Sequence, residues 1–207
     1  MSNDEKVRQI GLFGGSFNPP HVGHTLATLW ALQTHPLDEV WWIPTHQHAF
    51  SKGLVDFEHR RAMCELAVEP LVGVSVNDIE RSMGGQSRTI DTVAALQARH
   101  PDTAFWLIVG ADILGETERW KQWDELMTMV SLLVVGRVGF EHGQPAQDEP
   151  FRLPDVSSTI IREALSRCDY DALGPWVPRR VIDYIAEHAL YVDPNCVGRA
   201  SRAQGPT

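Results

Sequence analysis

Residues 14–24 bring together the side chains best suited to handling a phosphate group. They read Gly-Gly-Ser-Phe-Asn-Pro-Pro-His-Val-Gly-His, directly after an apolar run and directly before a segment with helix character. Gly14 and Gly15 are expected to let the backbone turn tightly and approach a phosphate. His21 and His24, three residues apart, then face one side of a helix start, where free N–H groups and the helix dipole favour an anion. The pattern predicts a phosphate-binding site.

A second candidate for phosphate binding lies near the C-terminus, where Ser157, Thr159 and Arg162 precede and enter a predicted helix. Alone, this spacing is also what a helix cap followed by a solvated arginine would give. Together with the glycine-rich segment it offers a second helix N-terminus, two hydroxyls and a guanidinium, a combination that suits a polyphosphate.

The histidines have an alternative role as metal ligands. Zinc would need a third and usually a fourth ligand beside His21 and His24. His46 and His48 lie in a different loop and show no matching spacing. We therefore favour the phosphate interpretation and expect no protein-held metal.

Bulk composition limits the possible classes of protein. A chain of 207 residues with 43% apolar content favours a single domain, expected over residues 1–193, with a disordered tail at 194–207. A net charge of −9 argues against general nucleic-acid or anionic-membrane binding. The three cysteines are scattered, the N-terminus is polar, and no apolar run reaches membrane-spanning length. These features predict a soluble protein in a reducing, cytoplasmic setting.

Strand-like and helix-like segments alternate along most of the chain. The strands are expected at residues 7–13, 40–44, 74–79, 104–110 and 131–136. The helices between them are expected at residues 25–33, 57–68, 89–99 and 123–129, with Asp56 as the N-cap of the second. This alternation predicts an α/β, Rossmann-like parallel sheet with helices on both faces and a site at the carboxyl ends of the strands. Two further helices, at 160–166 and from 178, predict a small C-terminal helical region.

These motifs resemble those of the nicotinate-nucleotide adenylyltransferase family within the HxGH nucleotidyltransferase superfamily. The segment from Gly14 to His24 is similar to the superfamily signature, and the segment from Ser157 to Arg162 is similar to its second phosphate-binding motif. The order and spacing of several shorter motifs, among them Ile43-Pro44-Thr45 and Arg60-Arg61-x-Met63, are similar to this family over about residues 11–191.

The resemblance implies transfer of the adenylyl group of ATP to a pyridine mononucleotide, with Mg²⁺ held mainly by the ATP phosphates. His21, His24 and Arg162 would be the catalytic residues. The resemblance implies that the ATP-binding residues are Gly14, Gly15, Ser16, Phe17, Gly110, Asp112, Ser157 and Thr159. It implies that Lys52, Thr89 and Trp120 bind the acceptor, although ordinary packing is the alternative for Trp120.

One loop departs from the family pattern. After residues 43–45 the family usually shows Pro-Pro-His followed by a base, whereas this chain reads His-Gln-His-Ala-Phe-Ser-Lys at 46–52. Since such loops set ring specificity, nicotinamide mononucleotide stays an alternative to nicotinate mononucleotide. Another phosphorylated acceptor, such as phosphopantetheine, would keep the first motif, but the longer C-terminal region with Ser157, Thr159 and Arg162 disfavours it. A regulator without catalytic activity is a further alternative, although both histidines and Arg162 are intact. The oligomeric state is left open.

Overall fold

The computed structural model of the chain describes residues 6–47, 54–85, 88–111, 120, 122–137 and 152–193. Its strands are β1 (Arg8–Gly15), β2 (Glu39–Pro44), β3 (Val74–Val76), β4 (Thr103–Gly110), β5 (Ser131–Arg137) and β6 (Arg152–Leu153). Its α-helices are α1 (Val22–Thr34), α2 (Phe57–Val68), α3 (Ile79–Met83), α4 (Thr89–Arg99), α5 (Trp123–Met129), α6 (Ser158–Ser166) and α7 (Arg179–Glu187). A short 3-10 helix, Asp171–Leu173, separates α6 from α7.

The strands form one parallel sheet in the order β3-β2-β1-β4-β5-β6. The strand order therefore reverses between β1 and β4, which begins the second half of the sheet. In open α/β sheets the crevice beyond the carboxyl ends of the strands at such a reversal is the usual place for a ligand. The predicted Rossmann-like class is confirmed, and the glycine-rich segment lies at this point.

Each face of the sheet carries its own apolar layer. Helices α1, α2, α6 and α7 cover one face, and α3, α4 and α5 cover the other. Side chains alternate between the layers along each strand, so that Trp42 packs in the first and its neighbour Trp41 in the second. The fully buried Trp42 indole N–H donates to Thr28 Oγ1 at 2.8 Å, which ties α1 to the sheet.

Several predicted boundaries need correction. Strand β1 continues through Gly14 and Gly15, which pair in register with Ile43 and Pro44 and do not form the expected tight turn. The turn comes at Phe17, whose φ of 46° is left-handed, and the Asn18–Pro19 peptide bond after it is cis.

The structure also departs from the predictions at β3, at β6 and at the N-cap of α2. Strand β3 ends at Val76, three residues earlier than expected, because the Asn77 side chain accepts a hydrogen bond from Ile79 N at 3.0 Å and starts α3. The short strand β6 was not predicted. Helix α2 has the predicted bounds, but the Asp56 side chain makes no capping hydrogen bond.

The membrane and cysteine predictions have separate outcomes. Within the ranges given above, no helix is long and apolar enough to cross a membrane. Cys64 is buried and free, and burial raises the pKa of its thiol. Cys168 is disulfide-bonded, which the scattered spacing did not predict. The expected tail at 194–207 lies outside the described residues, and the single domain over 1–193 stays a prediction.

Candidate active site

The two histidines are fixed by the first turn of α1. His21 is the N-cap, in extended conformation, and its Nδ1 accepts a hydrogen bond from Gly23 N at 3.2 Å. In return, His24 Nδ1 accepts from His21 N at 3.1 Å. Each ring thus satisfies one of the backbone N–H groups that a helix start leaves without a partner.

These hydrogen bonds determine which ring nitrogen carries the proton. A backbone N–H only donates, so both Nδ1 atoms must be acceptors, and each neutral ring bears its proton on Nε2. The ring centroids of His21 and His24 lie 3.9 Å apart with a tilt of 41°. His21 is buried and His24 half-buried. The helix start therefore presents two adjacent Nε2–H donors, which is the tautomer an anion requires.

Gly23, between the histidines, is required by packing. A Cβ atom at this position would lie 3.0 Å from both Cε1 and Nδ1 of His21 and 3.3 Å from Val156 Cγ1. Any larger residue would press on the ring of His21. The glycine of the motif therefore sets the position of the first histidine.

Helix α6 packs its N-terminus against the loop 16–20. Arg162 donates from one terminal nitrogen to Asn18 O at 2.8 Å and from the other to Thr159 Oγ1 at 3.1 Å. Ser158 Oγ donates to Pro19 O at 2.9 Å. The two motifs singled out in the sequence are thus joined by direct hydrogen bonds, although 144 residues separate Arg162 from Asn18.

The three predicted residues of the second motif have different local roles. Thr159 accepts from Arg162 and so orients the guanidinium. The Ser157 hydroxyl caps α6, accepting from Ile160 N at 3.3 Å. Ser158, which the sequence analysis did not select, makes the contact with the loop 16–20.

A buried arginine that the sequence analysis did not place in the site supports the same loop. Arg60 of α2 is 1% exposed and donates to Ser16 O at 2.9 Å, Thr45 O at 2.7 Å and Val55 O at 2.9 Å. Burial lowers its pKa from the ordinary range. Arg60 therefore fastens the segment after β1 to the segment after β2. Arg60 belongs to one of the short motifs that are similar to the family, but nothing in the local sequence pattern indicated that its side chain is buried.

The residues predicted to bind ATP at and after the end of β1 differ in what they expose. The Phe17 ring is 1% exposed and stacks on Trp42 with centroids 4.8 Å apart and planes 9° apart. Only the backbone of Phe17 is thus available to a ligand. Gly14 is exposed, and a Cβ placed there would meet no atom of the described part of the chain within 4 Å, which leaves room for a phosphate to approach the main chain there. Ser16 is half-buried.

The residues expected around the sugar and acceptor belong to other elements, on the β4 side of the sheet. Gly110 ends β4, beside β1 in the sheet, and Thr89 is the first residue of α4. The Trp120 ring packs edge-on against Trp123, with centroids 5.5 Å apart, next to the second apolar layer. Lys52 and Asp112 lie outside the described residues. Stacking of Trp120 on a pyridine ring stays a prediction.

His46, in the loop that departs from the family pattern, lies against a buried carboxylate. Glu80 is 8% exposed and accepts from His46 N at 3.0 Å and from Thr92 Oγ1 at 3.2 Å. The His46 ring packs edge-on against Phe57 with centroids 5.0 Å apart. Glu80 thus links the end of β2 to α3 and α4. Among the described residues, no group of three or more His, Cys, Asp or Glu side chains is arranged to hold a metal ion.

A parallel sheet with a helix-capping histidine pair at its switch point defines a protein of the nucleotidyltransferase class. Consistent with this class, residues 12–164 match the family model described as cytidylyltransferase-like. A "Probable nicotinate-nucleotide adenylyltransferase" of Anaeromyxobacter dehalogenans (strain 2CP-1 / ATCC BAA-258) is 46% identical over 187 residues, 89% of this chain and 97% of the relative. One from Myxococcus xanthus (strain DK1622) is 41% identical over 188 residues, 88% of this chain and 94% of the relative.

A solved structure agrees at the level of the fold. The Plasmodium falciparum nicotinic acid mononucleotide adenylyltransferase complexed with NaAD matches with a TM-score of 0.74 and 20% identity, covering 89% of this chain and 97% of that one. Given the identity to the curated relatives over almost their full length, this chain belongs to the nicotinate-nucleotide adenylyltransferase family of cytidylyltransferase-like proteins.

Proposed function

We propose that the chain transfers the adenylyl group of ATP to nicotinate mononucleotide, giving nicotinate adenine dinucleotide and pyrophosphate in NAD biosynthesis. The observation that carries this proposal is the junction of two helix N-termini at one loop. His21 and His24 begin α1, Arg162 lies in the second turn of α6, and Asn18 O accepts from Arg162 at 2.8 Å between them. This junction supplies converging N–H donors where a triphosphate would lie.

The reaction needs positioning and charge stabilisation more than covalent chemistry from the protein. A phosphate oxygen of the mononucleotide attacks the α-phosphorus of ATP, forming one P–O bond as the bond to the β-phosphate oxygen breaks. The bonding electrons leave with pyrophosphate, so charge increases on the leaving group. The Nε2–H groups of His21 and His24 and the guanidinium of Arg162 would stabilise that charge, most strongly in the transition state.

ATP would be held by main-chain and side-chain groups around these donors. Backbone groups of Gly14, Gly15, Ser16 and Phe17 would contact the phosphates, and Ser157 and Thr159 would support the β- and γ-phosphates. Gly110 and Asp112 would bind the adenosine sugar. Mg²⁺ is proposed to arrive as part of the ATP complex, held mainly by the phosphates.

The acceptor would be recognised at the start of α4. The side chain of its N-cap residue, Arg88, carries only hydrogen-bond donors and therefore does not cap the first-turn N–H groups. Such donors favour a carboxylate on the pyridine ring over a neutral amide. Thr89 is the first helical residue there, Trp120 would stack on the ring, and Lys52 would contact the acceptor phosphate.

The chief alternative is nicotinamide mononucleotide as acceptor. It is favoured by the departure at residues 46–52, where the family prolines are missing. We also propose a cytoplasmic location, since both substrates are multiply charged and do not cross a lipid bilayer unaided.

The proposal is tested by incubating the purified chain with ATP, Mg²⁺ and nicotinate mononucleotide. We expect a product with the mass of the dinucleotide and one pyrophosphate for each dinucleotide formed. Release of ADP or inorganic phosphate in place of pyrophosphate, or no dinucleotide at all, would contradict adenylyl transfer. The same assay with nicotinamide mononucleotide and with phosphopantetheine distinguishes the other acceptors. Metal analysis of the purified protein checks the zinc alternative.

A further inference from the structure

The hydroxyl of Tyr191 reaches back from the C-terminal segment to the loop of the first motif. Tyr191 follows α7, and its hydroxyl donates to Asn18 Oδ1 at 2.8 Å, across 173 residues of sequence. We propose that Tyr191 is a positioning residue that holds the phosphate-binding loop 16–20 in its active geometry by acting through Asn18. This inference rests on the proposed function and assigns that site a residue outside both phosphate-binding motifs.

Asn18 is the point through which the effect passes. It is 2% exposed, and its Oδ1 accepts from Val55 N at 3.2 Å as well as from Tyr191. Its main-chain oxygen accepts from Arg162 at 2.8 Å. The orientation of the Asn18 side chain and the position of its carbonyl are therefore fixed together. If Asn18 Oδ1 loses its hydrogen bond from Tyr191, the loop 16–20 is less firmly held, and the Arg162 guanidinium bonded to the Asn18 carbonyl shifts with it.

The backbone of the C-terminal segment is strained in the way this role requires. Tyr191 has φ 63° and Ala189 has φ 48°, both left-handed values for residues other than glycine. A bulky residue keeps such a conformation only where its surroundings fix it, and strain of this kind is concentrated at functional sites. Leu190 N donates to Ile185 O at 3.0 Å and ends α7 so that the next residue turns inward.

The chemistry of the phenol also suits a fixed donor. Burial raises the pKa of Tyr191 well above its ordinary value, although the nearby Arg60 and Arg162 act in the opposite direction. The hydroxyl therefore stays protonated throughout the range in which an enzyme is assayed, and its hydrogen bond to Asn18 does not depend on pH.

The test compares Tyr191→Phe with the matched control Tyr184→Phe. Each substitution removes one hydroxyl, but the Tyr184 hydroxyl is paired with His59 Nδ1 at 2.9 Å, on the contact between α2 and α7. We expect Tyr191→Phe to lower kcat about tenfold and to weaken binding of a non-hydrolysable ATP analogue several-fold, with the acceptor KM within twofold of wild type. Tyr184→Phe should match wild type in all three. Equal kcat and equal ATP-analogue affinity in the two variants would overturn the proposal.

The route through Asn18 is tested in a double-mutant cycle. If Tyr191 acts by placing the carbonyl that holds Arg162, then Tyr191→Phe should lower kcat less than threefold in an Arg162→Lys background. A full tenfold effect in that background would overturn the route. The ATP-analogue titration separates this question from the proposed function. If the wild type makes no dinucleotide, the proposed function fails, while weaker analogue binding by Tyr191→Phe alone still supports the positioning role.

Discussion

Replacing Gly23 by alanine should impair catalysis without harming the fold. The added Cβ would lie 3.0 Å from two atoms of the His21 ring, closer than nearly all such contacts, so the ring must shift by a few tenths of an ångström. That shift lengthens the 3.2 Å hydrogen bond from Gly23 N that sets the tautomer of His21. A displacement of about 1 Å costs on the order of 10²-fold in rate, so this smaller one should cost roughly five- to twentyfold in kcat.

The thermal stability of Gly23→Ala should equal or slightly exceed that of the wild type. Alanine has a higher helix propensity than glycine by about 1 kcal/mol, which offsets the crowding at the helix start. Steady-state kcat and the thermal midpoint are measured together, with Gly174→Ala as the control. Among the described residues, a Cβ at Gly174 would have one atom within 4 Å, Asp171 O at 3.9 Å. If Gly23→Ala retains kcat within twofold of the wild type, the glycine does not set the position of His21 and the reasoning fails.

Three further predictions concern single side chains. His24→Ala should lower kcat by about 10² to 10⁴, with a thermal midpoint close to wild type, because the loss is chiefly that of a charge-stabilising donor; near-normal turnover would remove the catalytic role. Arg162→Lys should raise the ATP KM and also lower kcat, since an ammonium cannot bond Asn18 O and Thr159 in the same fork, and an unchanged ATP KM and kcat would refute the assignment. Burial lowers the pKa of His35 in the folded protein. As the pH falls below about 6.5, the unfolded protein therefore binds a proton at this residue before the folded protein does, and the free energy of unfolding decreases. Between about pH 7.5 and about pH 5.5 the wild-type midpoint should thus fall further than that of His35→Gln, and parallel curves would contradict this.

The local sequence pattern predicted those helices and strands whose apolar periodicity or motif lies within a single segment. The bounds of α2, α4 and α5 follow from apolar periodicity, and the histidines at the start of α1 follow from the motif. The turn at Phe17 did not follow, because glycines suggested it two residues earlier. The left-handed backbone conformation of Phe17 is tolerated because its ring stacks on Trp42, and this contact forms only in the folded sheet.

Long-range hydrogen bonds explain what the sequence could not predict about the site. Both motifs were visible as candidate phosphate sites, but their junction at Asn18 depends on how α6 docks, and no spacing rule reaches across 144 residues. In the sequence, Arg60 is one of two adjacent arginines on a predicted helix. In the structure its buried side chain donates hydrogen bonds to backbone carbonyls of three separate segments, which the local sequence does not indicate. Tyr191 is likewise placed by tertiary structure, in a backbone conformation that its residue type disfavours.

An internal competition between the two pyridine mononucleotides tests the central claim most directly. Equal concentrations of nicotinate and nicotinamide mononucleotide are mixed with saturating ATP and Mg²⁺, and the ratio of the two dinucleotides gives the ratio of kcat/KM. Losing a charge-assisted hydrogen bond to the carboxylate costs about 1.5 to 3 kcal/mol, so we expect the nicotinate product to exceed the other roughly tenfold to a few hundredfold. Equal amounts, or an excess of the nicotinamide product, would contradict the acceptor assignment and show that the loop at 46–52 has changed the specificity.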